Sequence, residues 1–263
     1  MIHADHVVRT EIERLVDLYP DELRKGQRSD VGRIFYHVNL VRSLVGSSGR
    51  PLSECAIMDV GGGIGLFSIA CKALGFGKVI LVDDFRDPIN DELGDGILNL
   101  HRSRGIEVYM CDVAANGVPP AMADLDVVTL LFDTIEHWHH SPKRALHQLV
   151  AMLRSHGWII IGVPNCVNLR KRITVPFGRG KWSQMADWYE RERFRGMCAN
   201  RMWRISCYIA RDLGLKNVRI IGRNWAGFES PTAIVRWATR TRGPTVANTA
   251  VALSESYMLG QKA

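Results

Sequence analysis

Apolar positions recur along the chain in two rhythms. Over residues 5–18, Val8, Ile12, Leu15 and Val16 fall on one face, which predicts a helix. A second helix is predicted over 31–44, closed by the GSSGRP break at 46–51. Beyond that break short apolar runs alternate with helical stretches. CAIMDV (55–60), KVILV (78–82), IEVYM (106–110), LDVVTLLF (125–132) and GWIIIGV (157–163) read as strands. Residues 65–74, the polar region 88–103 and a segment opening at Ser141-Pro142 read as helices; there Ser can cap and Pro fits the first turn. Strands that are apolar throughout and separated by helices predict a parallel sheet covered on both faces.

After Pro164 the rhythm breaks. Residues 166–198 are rich in Arg, Trp and Gly without periodicity, which suggests a cap inserted over the sheet's ligand edge. A helix is then predicted over 201–213, a strand at NVRIIG (217–222), a short helix at Ser230-Pro231 and a last strand at SESYMLGQ (254–261). Neither an internal repeat nor a low-complexity linker is visible, so the 263 residues read as one α/β domain.

Composition narrows the picture. Apolar residues make up 46% of the chain, enough for a sizeable core, yet the longest apolar runs are strand-sized, which argues against a membrane span. The N-terminal stretch has acids among its apolar residues and no signal-peptide core, and the six cysteines are scattered without a C-x-x-C pair. Both features predict reduced thiols and a cytoplasmic location. The formal net charge of +7 is uneven: from Pro164 to Asn224 fourteen Lys and Arg face four acids, +10 in that segment. Such a run is commonly a solvated surface; here it also predicts a field for an anionic or lipid-linked small molecule, a membrane surface or nucleic acid.

DVGGGIG (59–65) sits between a predicted strand and helix. That is the place where open parallel sheets bind ligands, with free helix N–H groups for an anionic substituent. Glycine there lets a ligand reach the backbone. The G-x-G-x-x-G dinucleotide pattern fails, because its last position, counted from Gly61, is Leu66. Asp-x-Gly-x-Gly-x-Gly fits instead, as Asp59, Gly61, Gly63 and Gly65, with Asp83-Asp84 ending the next strand where a carboxylate can take both hydroxyls of a ribose.

This pattern resembles motif I of the class I S-adenosylmethionine-dependent methyltransferases, and the similarity runs over about residues 30–262. VILVDD resembles the ribose-binding acid, MCDV (110–113) the adenine-reading Asp112 and Val113, and LDVVTLLFDTIEHWHH…GWIIIGVPN the fourth-strand region, with Asp133 at a cofactor position. The chain looks most like the bacterial members with an EH motif and a PN…NLRKR continuation, many of which modify sugars, glycolipids or small metabolites. The resemblance implies S-adenosyl-L-methionine as cofactor. It also implies a doubly wound, mostly parallel seven-stranded sheet (a Rossmann-like methyltransferase fold) with a reversed final hairpin. The domain then divides into N-terminal helices (1–50), a cofactor-binding half (51–165) touching the cofactor through Asp59, Gly61, Gly62, Gly63, Gly65, Asp83, Asp84, Asp112, Val113 and Asp133, a cap (166–200), and the last elements (201–263). The chain departs from its relatives at GMCAN (196–200), where many carry GHVRE, so Met197 replaces a histidine.

For an alcohol acceptor a base must remove the proton, and His137, after the fourth strand, is the candidate; it can equally order the loop under the cap. His139 and His140 make HWHH a conceivable metal cluster, but no convincing ligand set completes it, so no metal is expected. Glu136 is expected to fix the loop or contact the cofactor's amino group. Arg170 and Arg172 either begin an amphipathic helix or grip an anionic acceptor, and Trp182 and Tyr189 either stack on a sugar or form the cap's core. O-methylation of a sugar, glycolipid or other small molecule is the leading expectation. A nucleic-acid methyltransferase is disfavoured because the fourth strand lacks an Asn/Asp-Pro-Pro-Tyr/Phe stretch, and a catalytically weakened scaffold finds support only in GMCAN. Residues 230–243 read as a core-facing helix or as a surface helix capable of peripheral membrane contact.

Overall fold

Seven runs of alternating or continuous apolar residues pair into one sheet in the computed structural model, which describes residues 2–86, 95–119, 123–132, 134–138, 140–164, 202–223 and 255–263. They are β1 (Ala56–Val60), β2 (Lys78–Asp83), β3 (Glu107–Met110), β4 (Leu125–Leu130), β5 (Leu153–Pro164), β6 (Lys216–Arg223) and β7 (Glu255–Gln261). The order across the sheet is β3-β2-β1-β4-β5-β7-β6; β1 to β5 are parallel, and β7 runs antiparallel to both neighbours. This is the doubly wound sheet with a reversed final hairpin that the sequence resemblance implied. The chain winds outward from β1 to β3 and returns to β4 on the other side of β1, so the topological switch lies between β1 and β4.

Helices cover both faces, which is why β4 is buried at every position. One core layer joins α1 (Ile2–Val16), α2 (Asp21–Gly46), α3 (Leu66–Ala73) and α4 (Gly96–Ser103) to one face through residues such as Ile12, Val38, Phe67 and Leu81. The other joins α6 (Lys143–Met152) and α7 (Met202–Asp212) through Leu146, Leu149 and Ala210 to Met58, Val128 and Ile159. Between β3 and β4 a four-residue helix, α5 (Val113–Asn116), is capped by Asp112, whose Oδ1 accepts the Ala115 N–H at 3.0 Å.

Two predicted boundaries move. The second helix begins at Asp21, not at residue 31, after Pro20 and with Asp21 and Glu22 in its first turn, where acids favour the helix dipole. Its first ten residues bury only Gln27, so they carried no apolar rhythm to read. β5 starts at Leu153 rather than at Gly157: Leu153 pairs with Leu125, the register shifts before Val127 pairs with Trp158, and His156 takes a left-handed φ of 64°.

The amino edge of the sheet is pinned by one carboxylate. Asp126 accepts hydrogen bonds from Arg50 at 2.5 Å, Arg154 at 3.1 Å and the Ala56 N–H at 2.9 Å. Among the described residues no helix is long and apolar enough to cross a membrane.

Candidate active site

The carboxyl edge at the switch point is built around the glycine loop, whose glycines serve different ends. Gly61 (φ 69°) hangs from β2 through its N–H, donated to Val82 O at 2.7 Å, and a side chain there would overlap Thr134. A Cβ on Gly62 would overlap the Asp59 carboxylate, and one on Gly65 (φ 70°) the imidazole of His101. Gly63 differs: its φ is 53°, and among the described residues nothing lies within 4 Å of where its Cβ would be. Three positions are therefore glycine because the protein itself crowds them, and one faces open space over the crevice.

Asp83 ties this loop to the end of β2. Its Oδ2 accepts the Gly63 N–H at 2.8 Å and its Oδ1 the Phe85 N–H at 2.8 Å. Asp84 accepts the Arg86 N–H at 3.1 Å and turns toward the next compartment. That compartment, a cavity of about 480 Å³ beyond β2 and β3, is lined by Asp84, Phe85, Arg86, Met110, Asp112 and Asn116. Phe85, Met110 and Cys111 give its lining an apolar part, and Asp84, Arg86, Asp112 and Asn116 a polar one. The Val113 side chain is in the core, so only its main chain can face the cavity.

Asp59 does not reach this space. It is 1% exposed, accepts hydrogen bonds from Ser68 Oγ at 3.0 Å and Thr129 Oγ1 at 3.0 Å, and lies under Gly62. Burial raises its pKa to about 7, opposed by the two hydroxyl donors and reinforced by Asp83. Its part is to hold the loop from behind.

On the β4 side, Thr134 stitches the following turn to the loop: its hydroxyl lies 3.3 Å from both Val60 O and Gly61 O. The turn Ile135–His137 follows, closed by the His137 N–H donated to Thr134 O at 3.2 Å. Glu136 points inward and is 3% exposed, whereas His137 is half-buried at the crevice edge. Asp133, Arg170, Arg172, Trp182 and Tyr189, together with the expected cap, lie outside the described residues.

A cluster that apolar periodicity does not single out packs against the residues after β4. Arg33 on α2 donates to Leu131 O at 3.1 Å, pairs with Glu255 at 3.3 Å and sits over the Phe132 ring at 5.0 Å. One turn on, His37 is fully buried with Phe132 and Tyr257 at ring-centroid distances of 5.3 and 4.9 Å. Burial, then the charges of Arg33 and Arg223, hold His37 well below the ordinary histidine range, so it is neutral. Arg223, ending β6, stacks over Tyr36 at 4.1 Å. In sequence the signal was faint: a histidine on the apolar face of a predicted helix.

An open glycine at the switch point, an acid ending β2 and a cavity beyond it mark the carboxyl edge of this α/β sheet as the candidate ligand site. The methyltransferase-domain family model matches residues 4–214, and the chain belongs to that family. Its fold is shared with a SAM-dependent methyltransferase from Thermotoga maritima, at a TM-score of 0.52 and 13% identity over 95% of this chain and 100% of the other. The phosphoethanolamine N-methyltransferase 2 of Haemonchus contortus, crystallised with S-adenosyl-L-methionine, gives 0.53 at 15% identity over 85% of this chain and 52% of its own, about half its length. No curated protein sequence matches the chain significantly. The chain is a class I methyltransferase that uses S-adenosyl-L-methionine.

Proposed function

We propose that the chain methylates a hydroxyl of a sugar, glycolipid or other small-molecule acceptor, with His137 as the base. The observation that carries this reading is the stitching of the 134–137 turn to Gly61 through the Thr134 hydroxyl, beside Gly63, whose Cβ position is clear among the described residues. In this reading the adenine lies in the cavity beside Asp84, Asp112 and the Val113 main chain, Asp83 accepts the ribose hydroxyls, and Gly63 lets the methionine portion approach the backbone. Gly61, Gly62 and Gly65, with Asp59 behind them, keep the loop in shape.

When bound, the cofactor supplies a methyl group already activated by its sulfonium. The residues of the chain then have to align an acceptor oxygen in line and take its proton. Alignment alone can supply several orders of magnitude. His137, half-buried after β4, can accept the acceptor's proton near neutral pH, and buried Glu136 and Thr134 hold the turn that carries it. In this reading the cluster of Arg33, Tyr36 and Arg223 beside Phe132 lies toward the acceptor and offers it an aromatic face with Arg223 as cation, Arg33 being paired with Glu255. That suits an anionic or sugar-containing acceptor, as does the basic stretch 164–224.

The test is methyl transfer from labelled S-adenosyl-L-methionine to a panel of sugar, glycolipid, small phenol, amine and RNA acceptors. Transfer to a hydroxyl acceptor that survives raised salt supports the proposal. Transfer only to RNA, lost steeply with salt, or only to amines would overturn it.

A further inference from the structure

Beneath the glycine loop lies a group that the methyl-transfer reading leaves unused. His101, near the end of α4, is fully buried, and its Nδ1 lies 2.7 Å from Ile97 O, one turn back. A carbonyl only accepts, so Nδ1 carries the proton and the neutral ring presents a bare lone pair at Nε2. That Nε2 has no hydrogen-bond partner among the described residues and is pressed under Gly65, where a Cβ would overlap it. The main chain of Ile64 and Gly65 is near enough to favour a protonated ring, yet neither carbonyl sits where it makes a hydrogen bond with Nε2. The Ile64 carbonyl accepts the Tyr19 hydroxyl at 2.8 Å and the Gly65 carbonyl the Ile69 N–H at 3.0 Å; each keeps a second lone pair. An acceptor thus faces two acceptors inside the protein, at the residue that turns the loop into α3.

We propose that His101 is a proton-linked positioning residue of the cofactor loop: a proton on Nε2 supplies the missing donor to the Ile64–Gly65 main chain and fixes the loop in its cofactor-receiving conformation. The proton comes from solvent and is taken up as the cofactor binds. The proposal rests on the reading of this loop as the cofactor's cradle. Burial lowers the affinity of the His101 ring for a proton while the carbonyls of Ile97, Gly65 and Ile64 raise it, the net being downward. The charged or titratable groups on the elements around it are Asp59 on β1, Cys71 and Lys72 on α3, Lys78 and Asp83 on β2, Glu107 and Tyr109 on β3, Arg102 on α4 itself and Tyr19 after α1. Of these Asp59 is raised by burial to about 7.

Calorimetry of S-adenosylhomocysteine binding in buffers of different ionisation enthalpy tests this on the wild-type protein. At about pH 5.5, where Asp59 already holds its proton, binding should take up a proton, and affinity should rise as pH falls, by at most about tenfold per unit. His101→Gln, whose amide donates at every pH, should bind with little pH dependence and no uptake. Absence of uptake in the wild type, or the same pH slope in His101→Gln, would overturn the proposal. Gly63→Val separates this from the cradle reading: binding that survives it removes the cradle and this proposal together, whereas a shared pH slope with Gly63→Val inactive removes the proposal alone.

Discussion

Asp83 and Gly63 form one hydrogen-bonded unit: the carboxylate that ends β2 accepts, at 2.8 Å, the N–H of the loop glycine whose Cβ position is left clear by the described residues. The same carboxylate receives the Phe85 N–H, so it shapes the ledge beside the cavity as well as the loop. Asp83→Ala removes both anchors and the proposed ribose acceptor. Affinity for S-adenosylhomocysteine should drop by about tenfold to a hundredfold, as expected for losing charge-assisted hydrogen bonds. Titration calorimetry reads this directly, and an unchanged affinity would remove Asp83 from the site.

The glycines separate fold from binding. Gly63→Val puts a side chain where the protein leaves space, so it should abolish cofactor binding while costing the fold about 1–2 kcal/mol for its left-handed φ. Gly65→Ala should do the reverse in emphasis, because its methyl overlaps the buried His101 ring and the shared helix start must shift. Thermal unfolding beside cofactor titration checks both: Gly65→Ala should melt lower than Gly63→Val, despite its smaller side chain.

How much of this was legible beforehand depended on range. The strand, glycine loop and helix around 55–74 are contiguous, so apolar runs and glycine spacing sufficed, and Asp83 could be placed because it ends the next run. The start of α2 was hidden because polar residues after Pro20 are helical without burying a stripe. The start of β5 was hidden because Arg154 to His156 break the apolar run at the register shift between the Leu153 and Trp158 pairs with β4. The crowding of each glycine was invisible for another reason. Thr134 meets Gly61 and His101 meets Gly65 across long sequence separations, and the same holds for Arg33 and Leu131. Periodicity describes a residue's own element; it says nothing of which distant side chain will lie beneath it.

Asp59 should make stability fall with rising pH. This is an acid whose folded pKa, about 7, lies above its ordinary 3.8, so the folded state holds a proton that the unfolded chain releases between those values. Its contribution is complete below pH 3.8 and declines until about pH 7, by on the order of 4 kcal/mol. Asp59→Asn keeps the size and a hydrogen-bonding oxygen but does not titrate, so urea unfolding should show a flatter pH dependence across that window. An identical profile in the two proteins would contradict the buried, neutral carboxyl.

Asp126 predicts the opposite separation, a stability loss without a binding loss. It is 7% exposed and gathers Arg50, Arg154 and the Ala56 N–H at the amino edge, away from the crevice. Asp126→Ala leaves two guanidinium groups and a strand N–H without this partner, costing about 2–3 kcal/mol. Denaturant midpoints should fall accordingly while affinity for S-adenosylhomocysteine stays within about twofold, since one pKa unit's worth of free energy is already a tenfold change.

His137 offers the sharpest test of the chemistry. The turn that carries it is anchored through the Thr134 hydroxyl and the His137 main-chain N–H, which His137→Ala keeps, so the variant should retain the turn and the cofactor site. If the imidazole takes the acceptor's proton, kcat should fall by about 10²–10⁴-fold with cofactor affinity nearly unchanged. The acid limb of the pH–rate profile should vanish with it, because that limb reports the base becoming protonated. An acceptor whose proton leaves more readily should lose less, since it leans less on the base. Equal turnover in mutant and parent with a weakly acidic alcohol would show that alignment alone performs the transfer.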